Sequence, residues 1–182
     1  MQLQKAVIPH AERQRSAYVW GKETVMVKRT SLEGDGCPIA RSLDAIGDWW
    51  SMLIIRDALV GRRRFGEFQK SLGLAKNILA TRLRMLVDQN ILKLAPASDG
   101  SAYQEYVLTD KGRGIFPVIV ALRQWTEAFD DHPEDIDTIM VDRECGRPVR
   151  KLELRAQDGR LLEVADIALK PRPAAKRRRA GR

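Results

Sequence analysis

The chain has 182 residues, enough for one ordinary domain with extensions, and its 44% apolar content suffices for a packed core. Its formal net charge is +8, but residues 170–182 (KPRPAAKRRRAGR) hold seven basic residues and no acidic one, which leaves +1 on everything before them. No apolar run approaches the roughly 18 residues of a membrane span, and the widely separated Cys37, Cys145, His10 and His132 argue against a disulfide framework or a metal site. MQLQKAVIPHAERQR lacks the apolar stretch of a secretory signal. A cytoplasmic, nucleoid-associated protein without a cofactor or metal is therefore expected.

Residues 1–36 show no sustained hydrophobic period and end in the loop-like SLEGDG, so they read as a loose arm. Met26, followed by VKRTSLEGDGC, also reads as a start. Pro38 to Ile46 is expected to be a helix, with proline in its first turn and Gly47 at its end. Trp49 to Leu59 (WWSMLIIRDAL) is apolar almost all round, which predicts a buried central helix ended by Gly61. Phe65 to Leu72 is a short helix, and Gly73 is its turn.

The next helix is expected over 75–89. Leu79, Leu83 and Leu86 recur at four and three, with Ile78 and Val87 beside them. Lys76, Asn77, Thr81, Arg84 and, more obliquely, Arg82 lie off that stripe. Residues 91–96 and 103–108 read as strands around the turn-rich ASDGSA. Thr109 then caps a helix with Asp110 in its first turn, running to about Phe129 and bent at Pro117. Its apolar positions Ile115, Val118, Ile119, Leu122, Trp125 and Phe129 step by three and four. Residues 138–165 alternate loosely around CGRP and QDG and read as a small β extension. The basic last thirteen residues read as disordered.

Two short helices followed by a hairpin make the order of a winged helix-turn-helix, a mainly α fold with a small β wing. The division expected is an arm over 1–36, a DNA-binding and dimerisation domain over 37–130, a β extension over 131–169 and a basic tail over 170–182. From Val60 to Lys93 eight basic residues stand against Glu67 and Asp88, a net +6 on a near-neutral body. That is the footprint of a phosphate-binding face. Lys76, Asn77, Thr81 and Arg82 are candidates for the major groove, where amide and guanidinium groups can read base edges. Arg82 could instead tie helices together. Arg62, Arg63, Arg64, Arg84, Lys93, Ser98 and Ser101 are candidates for the DNA backbone and the wing. For Arg64 a structural role at the helix start is an equal alternative.

Five motifs in order carry a family resemblance: Cys37-Pro38, Ile46-Gly47 with Trp50, Arg64-Phe65 with Glu67, Leu79 with Arg82-Leu83, and Leu108-Thr109 with Gly112. Over roughly residues 37–130 the chain resembles the HxlR-type winged helix-turn-helix transcriptional regulators, relatives of the MarR-like regulators. The resemblance implies a bacterial homodimer on a palindromic or near-palindromic double-stranded DNA operator; repression is the favoured role, and activation by recruiting polymerase stands beside it. It implies a dimer interface on the last helix, at Ile115, Val118, Leu122, Trp125 and Phe129, and on the N-terminal helix. It also implies a small-molecule or oxidant effector, sensed in some members at the position of Cys37. That cysteine lies at a helix start, where partial positive charge favours a thiolate; the alternative is a small packing residue. The chain departs from the family where the usual helix-start serine is Ala75 and where the wing is Asp-Gly rather than proline-rich. The second Cys-Gly pair of a zinc ribbon is missing beside DRECGRPV.

Three other readings stand beside this one. Trp49, Trp50 and Trp125 could line a ligand pocket, although aromatics at such spacings are more often core. A thiol-based redox protein working through Cys37 would be a different class, but it lacks a Cys-x-x-Cys pair. A winged-helix module for protein interaction would not need so many exposed cations and amides. No catalytic grouping or phosphate-cradling glycine loop is present, so an enzyme is not expected.

Overall fold

The run WWSMLIIRDAL folds as the central helix that its composition predicts. The computed structural model describes Leu32 and residues 36–171, so nearly all of the expected arm and basic tail lie outside the described residues. Helix α1 is Pro38–Ile46, α2 is Trp49–Leu59, α3 is Phe65–Leu72 and α4 is Lys76–Asp88. Strands β1 (Leu92–Pro96) and β2 (Gln104–Leu108) follow, then α5 (Asp110–Arg113) and α6 (Phe116–Phe129). Helix α2 packs against α1, α3, α4, α6 and β2. Its Ile54 and Ile55 join Phe68 of α3, Leu79, Leu83 and Leu86 of α4, and Leu92 and Leu108 of the hairpin in one buried cluster. Each such side chain contributes about 1.5–3 kcal/mol by leaving water. The central helix is not covered all round, because Trp49 at its start is 75% exposed.

Local chemistry sets the joints. The Asp48 carboxylate caps α2 by accepting from the Ser51 N–H at 3.0 Å. Gly73 ends α3 at φ 64°, a left-handed conformation that a side chain would strain, and the chain turns there into α4. The hairpin is antiparallel, with Leu92 opposite Leu108 and Pro96 opposite Gln104. Thr109 closes it: its hydroxyl donates to the Asn90 carbonyl at 2.6 Å and accepts from the Gly112 N–H at 3.1 Å. A Cβ on Gly112 would lie 2.2 Å from the Ile91 carbonyl oxygen, so only glycine lets α5 approach the hairpin this closely.

One expectation is corrected. The helix over 110–129 is not one bent helix but α5 and α6, separated at Gly114 and Ile115. Pro117 has no N–H to donate and its ring would collide with the carbonyl four residues back, so it sits in the first turn of a new helix. The β extension around CGRP and QDG carries no continuous ladder. It is two turns, each closed by one antiparallel bridge, Val141 with Pro148 and Arg155 with Leu161. Pro148 cannot donate to a ladder, and no described side chain from 131 to 171 is buried, so no apolar face drives strand pairing. Helix α6 holds this segment through Gln124, which donates to the Arg150 carbonyl at 3.0 Å and accepts from the Leu152 N–H at 2.8 Å. Among the described residues no helix is long and apolar enough to cross a membrane.

Candidate nucleic-acid interface

Helix α4 turns Leu79, Leu83 and Leu86 into the core, and that packing fixes which residues face outward. Lys76, Asn77, Ile78, Thr81 and Arg84 are exposed. Asn77, Thr81 and Arg84 follow one another at four and three residues and so share a face. The Thr81 hydroxyl donates back to the Asn77 carbonyl at 2.9 Å. Among the described residues the side chains of Lys76, Asn77 and Arg84 have no hydrogen-bond or ion-pair partner. Ala75 offers no side-chain cap, so the first N–H groups of α4 also remain open to an incoming acceptor.

Arg82, expected among the groove readers, is turned away from this face. Its Nε lies 3.4 Å from Asp48 Oδ1, the carboxylate that caps α2, and its side chain is only 28% exposed. It ties α4 to α2. Ile78 is a residue that the polar-face pattern does not single out. It is a 40% exposed apolar group within that face. The signal for it is its position one residue off the Leu79 stripe.

The three arginines before α3 are held down by carboxylates. Arg62 Nη1 lies 3.2 Å from Asp57 Oδ1, and Arg63 Nη1 lies 3.6 Å from Glu105 Oε2. Arg64 reaches Asp99 at 2.5 Å and Glu105 at 3.6 Å. The backbone joins in, because the Arg63 carbonyl accepts from the Tyr106 N–H at 2.8 Å and lays this loop along β2. Glu67 accepts from the N–H groups of Arg63 and Arg64 at 2.7 and 2.9 Å, and these two bonds hold its carboxyl below its ordinary value.

Asp99 at the wing tip does not point its charge at solvent alone. Ser101, whose backbone N–H donates to Asp99 Oδ1 at 3.1 Å, and the Arg64 guanidinium hold the Asp99 carboxyl far below the usual carboxylate range. The wing is thereby fastened to the start of α3. Ser98 donates to Glu105 at 3.2 Å, while Lys93 remains exposed on β1. Leu94 on β1 and Tyr103, just before β2, are also exposed, and the strand pattern does not single them out.

Val118, Leu122, Trp125 and Phe129 make an exposed apolar stripe along α6, and Trp125 and Phe129 have ring centroids 6.4 Å apart. Ile115 does not belong to it; it packs against the core. Ile39 and Leu43 of α1 are exposed as well. Cys37 is exposed at the residue preceding α1. Trp49, Trp50 and Trp125 do not line the cavity that opens between α2 and α6.

Comparison with known proteins places this geometry. The model of the HxlR-like helix-turn-helix family matches residues 45–134. An HTH-type transcriptional regulator of Mycobacterium tuberculosis is 32% identical over 142 residues, covering 78% of this chain and 90% of that protein. The chain belongs to the HxlR-like family. Two solved structures agree with this. PA1607, a candidate transcription factor, is 54% identical at a TM-score of 0.73, over 78% of this chain and 99% of its own. PA1374 of Pseudomonas aeruginosa, also a candidate transcription factor, is 40% identical at a TM-score of 0.54, over 78% and 96%. In this HxlR-type transcriptional regulator, α3, the Gly73 turn and α4 are the helix-turn-helix, and β1 with β2 is the wing. The family motifs gain physical meaning: Arg82 ties to the α2 cap, Glu67 caps α3, and Gly112 permits the close approach of α5.

Proposed function

We propose that the protein represses transcription as a homodimer on a near-palindromic operator, with one α4 in each of two successive major grooves. The observation that carries this reading is the α4 face on which Lys76, Asn77 and Arg84 are exposed and, among the described residues, unpartnered, while Leu79, Leu83 and Leu86 are committed to the core. Asn77 is suited to an adenine edge, Ile78 to a thymine methyl, and Lys76 and Arg84 to phosphate or guanine. Thr81, Lys93, Ser98 and Ser101 are secondary contacts. The α6 stripe supports the dimer, since an apolar surface of this kind on a small chain is usually covered by a partner. A two-fold dimer would set its two α4 helices about 34–36 Å apart, one turn of duplex.

Genomic footprinting of the tagged full chain, followed by transcription in vitro from the recovered promoters, tests the reading. It expects inverted half-sites and lower transcript yield. Direct half-sites, or stimulation, would replace it. Leu122→Asp should convert the dimer to monomers in light scattering and weaken operator binding with it; an intact dimer would move the interface to α1.

A further inference from the structure

We propose that the cavity between α2, α6 and residues 136–140 binds an uncharged, mainly apolar small molecule that presents one hydrogen-bond donor to Asp57. The cavity has a volume of about 700 Å³, within the roughly 300–1,000 Å³ of small-molecule sites. Met52 and Leu53 of α2, Phe116, Ile119 and Leu122 of α6, and Met140 supply apolar wall. Of the polar residues that also line it, Asp57 alone is buried. It is 0% exposed, and both of its arginine partners crowd onto one oxygen: Arg56 Nη2 at 2.8 Å and Arg62 Nη1 at 3.2 Å from Oδ1. The other oxygen, Oδ2, has no hydrogen-bond partner among the described residues. A buried acceptor left unmet is unfavourable, and a donor arriving with an apolar body would satisfy it.

The charges choose the ligand class. Arg56 and Arg62 already compensate Asp57, and Arg123 is paired with Glu127 at 2.5 Å on the far wall. A cationic ligand would meet two guanidiniums, and an anionic one would meet the unmet carboxylate oxygen. A neutral N–H or O–H donor meets neither penalty. The site also touches the DNA-reading unit. Ser71 of α3 lines it, and Arg62 links Asp57 to the loop that carries Arg63 and Arg64. Occupancy should therefore alter DNA affinity, a consequence that rests on the proposed function, whereas binding itself does not.

Indole and 1-methylindole, which differ by the one N–H, test the site on the full chain by calorimetric titration. Indole should bind, and 1-methylindole should bind about tenfold more weakly. Asp57→Asn, which exchanges an acceptor for a donor, should abolish that preference. Ile119→Trp, which fills the cavity and leaves Asp57 in place, should lose both probes while circular dichroism shows the fold retained. Equal affinity for the two probes, no binding of indole, or undiminished binding in Ile119→Trp would overturn the proposal. Saturating indole should also shift operator affinity several-fold; an unchanged affinity with indole bound would overturn the regulatory consequence alone.

Discussion

Two sets of basic residues in this chain look alike in sequence and are opposite in structure. Arg62, Arg63 and Arg64 each face a carboxylate of the body, and Arg82 faces Asp48. Lys76 and Arg84 of α4 have no such partner among the described residues, and neither do Lys70 and Lys93. Half of the eight basic residues between Val60 and Lys93 thus hold the fold together. The other half carry no compensating charge among the described residues. Charge counted along a sequence overstates the field when the compensating acids come from elsewhere in the chain, as Asp48, Asp57, Asp99 and Glu105 do.

The comparison breaks most visibly in stability. The double variant Arg56→Ala/Arg62→Ala leaves Asp57 buried without a cation, and urea unfolding should show a loss of about 3–5 kcal/mol. Lys76→Ala or Arg84→Ala should change stability by no more than about 0.5 kcal/mol, as expected for exposed side chains. If the two sets destabilise alike, the division between tethering and free cations is wrong.

DNA binding sharpens it in the other direction. Asn77→Ala should weaken cognate duplex by about 1–3 kcal/mol and leave random duplex nearly untouched, if the amide makes a bidentate base contact. Arg82→Ala should weaken both in parallel, because it loosens α4 on α2 rather than removing a reader. Titration of the two variants against matched and scrambled duplexes separates these outcomes.

A smaller effect belongs to Glu67. Its carboxyl is lowered by the N–H groups of Arg63 and Arg64, so its contribution is present above the ordinary carboxylate pKa and is lost as pH falls through the lowered folded value. Glu67→Gln should therefore be less stable than the parent at neutral pH by about 1 kcal/mol. The gap should close under acid, in paired pH-dependent thermal melts. The smallest effect concerns residues 170–182. Their removal should flatten the salt dependence of DNA binding, by about 0.9 in log K against log salt for each phosphate they would neutralise, without reordering preferred sites.

The helices are legible in the sequence because each carries its own signal. The four-and-three spacing of Leu79, Leu83 and Leu86 defines the buried side of α4, and with it the outward placement of Asn77 and Thr81. Proline at Pro38, glycine at Gly73 and threonine at Thr109 mark their boundaries through backbone chemistry that acts within a few residues. The five motifs reach further, and taken in order they point to the family. The break at Pro117 is half legible, since a proline that bends a helix and one that starts a new helix look alike in sequence.

Sequence alone therefore determined the order of elements through the hairpin, the apolar side of α4 and the family, because these follow from local periodicity, capping and short motifs. Tertiary structure alone decided which charges are free. Asp48 and Arg82 are thirty-four residues apart in the chain, and Arg64 and Asp99 thirty-five, yet each pair meets in the fold. Only packing could show that Ile115 turns inward while Leu122 turns outward, or that Asp57 keeps one oxygen unmet beside a cavity. Ion pairing and burial depend on distances between segments, and no spacing along a chain encodes those directly.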